Sequence, residues 1–299
     1  MPSDIHGILL LDKPLGMSSA GAVARVKYLF EARKAGHTGS LDPLASGLLP
    51  ICFGEATKFG AQMLDADKTY RVTARLGERT SSADLESPIV ERRELPPYTV
   101  RQIEAVLAAF PRDYEQIPPM HSALKQDGKP LYEYARAGIT RERAARRIRV
   151  HEMTLLEWNA PDLHFDVRCS KGAYIRVLAE DIAVRLGTIA HLVALRRVGV
   201  APFEAATLWT FEALEALGAS ERLRVLLPVD AALGDWRRFD LPADGVAAFR
   251  QGQSVEVPGC SPGNVRIYAA GLGFLGLGEV RAAGRLVPLR LISAAENRA

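Results

Sequence analysis

Cysteine is scarce: Cys52, Cys169 and Cys260 are the three in 299 residues, scattered, with no C-x-x-C and no paired histidine spacing. An odd, dispersed set excludes a disulfide framework and a zinc-ligand array, and fits small buried side chains in a reducing cytoplasm. Long apolar runs are missing as well. Near the N-terminus only Ile8-Leu-Leu-Leu11 appears before Asp12 and Lys13 interrupt it, far short of an export signal or of the roughly 20 residues that span a bilayer. Charge of one sign is not in excess: 38 Lys+Arg against 35 Asp+Glu leave +3, and 48% of residues are hydrophobic, which excludes a disordered chain. No repeating unit is visible, so a solenoid is excluded. G-x-x-x-x-G-K-[ST], H-E-x-x-H and G-x-S-x-G are all missing, leaving nucleotide hydrolysis, zinc proteolysis and a hydrolase elbow without support.

What is present begins with alternation. Tyr70, Val72, Ala74 and Leu76 alternate with Arg71, Thr73 and Arg75, and Leu163, Phe165, Val167 and Cys169 repeat the pattern. Both predict half-buried strands, and Arg147 to Trp158, rich in β-branched and aromatic residues, predicts a third. Helices are expected where Ile175, Leu178, Ala179, Ile182, Ala183 and Leu186 share a face ahead of Gly187, after a Thr99/Gln102 capping box, and after Ser18 or Ser19. Interspersed elements of this kind predict an α+β fold with a central, mainly antiparallel mixed sheet flanked by helices. After a connector at Pro228 to Phe239, nine glycines fall among short apolar strands between Phe239 and Ala299. This predicts a small β-rich barrel or half-barrel. The expected division is 1–236 and 239–299.

The positive charge is localised. Between Met120 and Val150, Lys125, Lys129, Arg136, Arg141, Arg143, Arg146, Arg147 and Arg149 face only Asp127, Glu133 and Glu142, which is either a polyanion contact or a solvated edge strand protected by charge. The G-x-G-x-x-G at Gly271, Gly273 and Gly276 precedes a strand-like Leu277-Gly-Glu-Val280 rather than a helix, so tight turns explain it better than a dinucleotide site. The densest special segment runs from Ala35 to Gly47, where glycines and Pro43 surround His37 and Asp42. Such loops present side chains, but spacing alone gives neither residue a role, and an Asx turn serves Asp42 as well.

The stretch Gly36-His-Thr-Gly-Ser-Leu-Asp-Pro-Leu-Ala-Ser-Gly-Leu-Leu-Pro50, between Leu11-Asp-Lys-Pro14 and Gly54-Glu-Ala-Thr-Lys58, resembles the tRNA pseudouridine-55 synthase family of the bacterial TruB type. Further blocks follow in the same order: Lys68-Thr-Tyr-Arg-Val72, Arg75-Leu-Gly-Glu-Arg-Thr80, Gln116-Ile-Pro-Pro-Met-His-Ser-Ala-Leu-Lys125, Leu131-Tyr-Glu-Tyr-Ala135, Cys169-Ser-Lys-Gly-Ala-Tyr-Ile-Arg176 and Leu195-Arg-Arg197. The resemblance spans about Gly7 to Val200. The last sixty residues are similar to a PUA-type RNA-binding module in position, length and glycine pattern.

The resemblance implies an isomerase that detaches uracil from a T-loop uridine at N1–C1′, turns it and rejoins it through C5. Such a reaction calls for no cofactor and no metal. By resemblance Asp42 is the nucleophile, at C1′ or at C6, and Arg176 pairs with it, since an opposed charge within about 4–6 Å favours and orients a carboxylate. Tyr70 matches the tyrosine that stacks on the target base and shuttles a proton. His37 matches the residue that fills the gap left by the extracted base, Tyr174 and Leu195 line the uracil pocket, and Asp84 lies near the site. Lys13 and Pro14 match a supporting motif. The basic stretch covers a thumb-like insertion over the T-loop, which assigns Lys125, Lys129, Arg141, Arg143, Arg146 and Arg147 to the RNA backbone. The implied partner is the tRNA T-arm, with no membrane, and a monomer is expected. A tRNA-folding chaperone activity, or a relative guided to ribosomal RNA, stands as the alternative; the short chain without long basic tails favours the stand-alone enzyme.

Overall fold

The computed structural model describes residues 3–293, so the last six residues of the expected C-terminal unit and the first two of the chain lie outside it. The alternating segments form the strands Lys68–Leu76 and Asp162–Cys169, and the long third strand runs Arg146–Asn159. With Gly7–Lys13, Ala45–Phe53, Ala190–Val200 and Asp113–Gln116 they build one mixed sheet. Its order is Gly7–Lys13, Ala45–Phe53, Ala190–Val200, Lys68–Leu76, Asp162–Cys169, Arg146–Asn159, Asp113–Gln116, with the short strand Ala35–His37 paired to Ala45–Phe53 and Phe203–Glu204 paired to Ala190–Val200. The pairing of Ala45–Phe53 with Ala190–Val200 is parallel; the other pairings along this path are antiparallel.

Burial follows the sequence period. Lys68–Leu76 alternates because one face meets the core and the other solvent, whereas Gly7–Lys13 and Ala45–Phe53 are buried almost throughout. Leu9, Leu11, Leu49 and Ile51 pack with Val26 and Ile182 on one side, while Ile8, Leu10, Leu48 and Cys52 pack with Met63 and Phe203 on the other. Three helices start or stop where the sequence signals them. Ser18 caps Ser19–Leu29 by accepting from the Gly21 amide at 3.0 Å, Thr99 and Gln102 close a capping box on Val100–Ala108, and Ile175–Arg185 ends ahead of Gly187, whose φ is +82°.

The C-terminal sheet is five-stranded and curls around Leu241, Phe249, Val265 and Ile267. It begins inside the stretch read as connector: Arg237–Asp240 pairs in parallel with Gly263–Ala269. The G-x-G-x-x-G lies in the Gly263–Ala269 to Gly273–Arg281 hairpin, where Gly271 and Gly273 have φ of +71° and +72°. A side chain at Gly276 would meet the Arg290 carbonyl at 2.2 Å, so that glycine permits close strand approach rather than phosphate binding. This sheet docks on the short helix Gly54–Phe59. Phe274 meets Phe59 edge-on at 5.4 Å, and Lys58 donates to Ser293 Oγ at 3.0 Å.

Candidate active site

The loop between Ala35–His37 and Ala45–Phe53 carries Asp42 to the mouth of a cleft of about 450 Å³, lined by Asp42, Tyr70, Ser122, Tyr174, Arg176 and Leu195 among others. Arg176 occupies the first turn of Ile175–Arg185, yet its side chain is only 5% exposed. It is therefore turned into the protein, not laid on the outer face of its helix. One guanidinium nitrogen lies 2.9 Å from Asp42 Oδ2 and the other 3.6 Å from Asp84 Oδ2. The remaining donors meet the Ser82 carbonyl at 3.1 Å and the His121 carbonyl at 2.7 Å. Asp84 is itself fixed, accepting from Ser82 Oγ at 2.6 Å and the Glu86 amide at 2.9 Å. A buried cation with both terminal nitrogens partnered holds a half-exposed carboxylate at the cleft mouth, the arrangement expected of a group that must meet a substrate in one orientation.

Tyr70 stands on Lys68–Leu76, nearly buried, and burial pushes its phenol up while the charge of Arg197 pulls it down. Tyr174 precedes the Arg176 helix; its backbone amide donates to Gln116 Oε1 at 2.7 Å, and burial raises its phenol. Leu195 comes from Ala190–Val200, opposite Ala45 and Val72 in register. Of the two expected site residues around the Asp42 loop, His37 does not line the cleft. It ends the Ala35–His37 strand with Nδ1 buried and unpartnered, and burial followed by the Arg197 charge lowers its imidazole.

The basic segment is divided in use. Ser122, Ala123 and Leu124 form cleft wall, and the Lys125–Gln126/Lys129–Pro130 hairpin projects beyond it with both lysines exposed. Arg141 is folded back, 4.6 Å over the Tyr134 ring and 3.2 Å from Asp127, and Arg143 is half-buried. Arg146 and Arg147 are exposed along a groove shared with Lys171, and this groove meets the cleft at Leu64, Ser170 and Gly172. Arg149 instead pairs with Asp113 through two 2.9 Å bonds.

Three cations emerge that sequence reasoning gave no chemical part. Lys13 is fully buried, donating to the Met17 carbonyl at 2.7 Å and the Pro14 carbonyl at 2.9 Å; burial pulls it down to about 8 against the attraction of Asp42. Lys68, also pulled down to about 8 by burial, donates to the carbonyls of Ala66 at 2.6 Å, Leu64 at 2.7 Å and Met63 at 3.1 Å. Arg197 donates to Leu48 O at 2.7 Å, Gly39 O at 3.0 Å and Ser40 O at 3.4 Å. For Lys68 the signal was a basic residue at an inward position of an alternating strand, two places from Tyr70. Among the described residues no group of three His, Cys, Asp or Glu is arranged to hold a metal ion, and no helix is long and apolar enough to cross a membrane.

Sheet order and cleft position define the class of fold, that of the Cbf5 and TruB pseudouridine synthases. A chain of a solved Cbf5–Nop10–Gar1 complex matches with a TM-score of 0.72 at 25% identity, over 96% of this chain and 84% of that one. A chain of an H/ACA ribonucleoprotein bound to a substrate RNA containing 2′-deoxyuridine matches at 0.70 and 25%, over 96% and 84%. Residues 27–175 match the TruB family pseudouridylate synthase N-terminal domain, 176–234 the tRNA pseudouridylate synthase B C-terminal domain, and 238–292 the pseudouridine synthase II TruB C-terminal domain. Two relatives described as tRNA pseudouridine synthase B, from Chromohalobacter salexigens and Nitrosococcus oceani, are 48% and 49% identical, each over 97% of this chain and 95% of the relative. The chain belongs to the TruB family of pseudouridylate synthases.

Proposed function

We propose that this chain isomerises the T-loop uridine at position 55 of tRNA to pseudouridine, with Asp42 as nucleophile. The observation that carries the reading is the 2.9 Å Asp42–Arg176 pair at the mouth of a cleft that Tyr70 also lines. The target base is drawn out of its loop at a cost of about a few kcal/mol and stacks on Tyr70, a contact worth about 1–3 kcal/mol. Asp42 adds to C1′ or C6, the N1–C1′ bond breaks, the turned uracil bonds C1′ through C5, the bond to Asp42 breaks to return its carboxylate, and the C5 proton leaves as N1 gains one. Atoms and electrons balance without an oxidant or reductant. Tyr174 and Leu195 wall the uracil, and Asp84 holds Arg176 from behind. His37, at the edge of the loop, fills the vacated place in the RNA.

Lys125, Lys129, Arg141, Arg143, Arg146 and Arg147 contact the T-arm backbone, the first two and the last two directly from exposed positions and the folded-back pair after rearrangement. Residues 1–236 carry the chemistry and 239–299 form an RNA-binding module, in a monomer of the cytoplasm. The test is tritium release from tRNA labelled at uridine C5, wild type beside Asp42→Asn, with the modified position mapped. Release at the T-loop uridine by wild type alone supports the reading. Release by both variants removes Asp42 as nucleophile, and release by neither with tight binding intact moves a folding-chaperone role to the front.

A further inference from the structure

One row of residues crosses four strands beneath the cleft. Lys13 lies opposite Gly47, Gly47 opposite Arg197, and Arg197 opposite Tyr70. Residues paired in this way present their side chains on the same face of the sheet. Gly47 has φ +99°, and a Cβ there would meet the Arg197 carbonyl at 2.2 Å, so the row closes up around a missing side chain. Arg197 is 1% exposed. Its hydrogen bonds go to the carbonyls of Gly39, Ser40 and Leu48, with no carboxylate of the described residues paired to it, and its charge bears on the phenol of Tyr70, its cross-strand neighbour.

Leaving a guanidinium in a protein interior is costly unless its donors are met. Here they are met by carbonyls of the loop that carries Asp42 and of the strand after it, while Tyr70 lies across the strand pair from the same guanidinium. A guanidinium has only donors. A phenol oxygen held beside it turns its lone pairs toward the cation and its own proton away, and Tyr70 borders the cleft.

We infer that Arg197 is a positioning residue that locks the Gly39–Asp42 loop to Tyr70 and obliges the Tyr70 hydroxyl to act as a hydrogen-bond donor toward the bound uracil. Lys13 and Lys68 hold their own neighbouring backbone and do not join the two parts; Arg197 does. The inference rests on the isomerase reading above, and the experiment separates the two.

Wild type, Arg197→Lys, Tyr70→Phe and the double variant are compared by single-turnover tritium release and by tRNA binding. Lysine keeps the charge but lacks the planar fork that spans loop and phenol. Arg197→Lys is expected to lower the rate about 10²-fold with tRNA Kd unchanged, the scale of loss for a misplaced reacting group. On the Tyr70→Phe background the same substitution costs less than about threefold, because the coupled partner is already gone. An equal loss on both backgrounds, or no loss from Arg197→Lys, overturns the inference. Inactive wild type overturns the isomerase reading instead. Should Arg197→Lys not fold, 3-fluorotyrosine placed at position 70 of the otherwise wild-type chain gives a more acidic hydroxyl. A donor role then moves the alkaline limb of the rate profile to lower pH, and an unmoved limb overturns the inference.

Discussion

The cleft floor and the 120–150 insertion are both rich in cations, and they hold them in opposite ways. Beneath the cleft, Lys13, Arg176 and Arg197 are almost fully buried, each donating to named backbone carbonyls. In the insertion Lys125, Lys129, Arg146 and Arg147 stand exposed, and the nearest carboxylate to Arg147 is Asp113 at 3.9 Å. Buried cations fix geometry because any movement strips them of partners; exposed ones keep their water and stay available for phosphates. The same residue types are thus fixed in one place and left free in the other, which on the proposed reading serves preorganisation and a grip on RNA respectively.

On this division, damage to the floor should change the rate and leave the salt dependence of binding alone, and damage to the insertion should do the reverse. The largest effect is expected from Asp42→Asn: turnover falls by about 10⁴-fold or more while tRNA Kd stays within about threefold, read by tritium release and filter binding. Arg176→Met should come next. It leaves Asp42 and Asp84 facing each other without their cation, and a drop of about 3–5 kcal/mol in unfolding free energy is expected in urea titrations, the scale for breaking a buried pair. Joint replacement of Arg146 and Arg147 by glutamate should weaken tRNA binding and flatten the log–log salt slope by about 1.4–1.8, with the rate at saturating tRNA unchanged. Constant affinity between 50 and 200 mM salt in the wild type would remove the grip altogether.

The smallest effect concerns Glu180, one turn beyond Arg176 on the same helix, whose carboxyl burial raises from 4.5 to about 7. Between those values the folded chain binds more protons than the unfolded one, so stability falls as pH rises through this window. Glu180→Gln should abolish that fall, raising Tm slightly at pH 8 and leaving it unchanged at pH 4.

The strands Lys68–Leu76 and Asp162–Cys169 are legible in the sequence because each has one covered face, and a covered face writes itself as alternation. Ile8 to Leu11 carries no period because the sheet there is covered on both sides, so the run alone cannot distinguish strand from helix. Caps at Ser18 and Thr99 are legible because capping is local. The Asp42–Arg176 pair is not, since nothing in either segment states what it faces; only the resemblance joined them. The Lys13–Gly47–Arg197–Tyr70 row is less legible still. Register is a property of pairing, and Arg197 beside Arg196 looks like surface charge until its strand is placed between two others. Arg196 does go outward, to Asp12 at 2.7 Å.

The parallel pairing of Ala45–Phe53 with Ala190–Val200 also sets a timetable. A chain made from its N-terminus releases Asp42 early, whereas Arg176 and Arg197, which hold that loop, emerge only after most of the catalytic sheet has been synthesised. Contacts so distant in sequence carry a large closure entropy and form late. Until then Gly7–Lys13 and Ala45–Phe53 can close their own antiparallel ladder, but the open edge of Ala45–Phe53 waits for its partner. That gives the growing chain an interval of exposed, strongly apolar edge strand, and makes the nascent polypeptide, rather than the finished enzyme, the form most in need of protection.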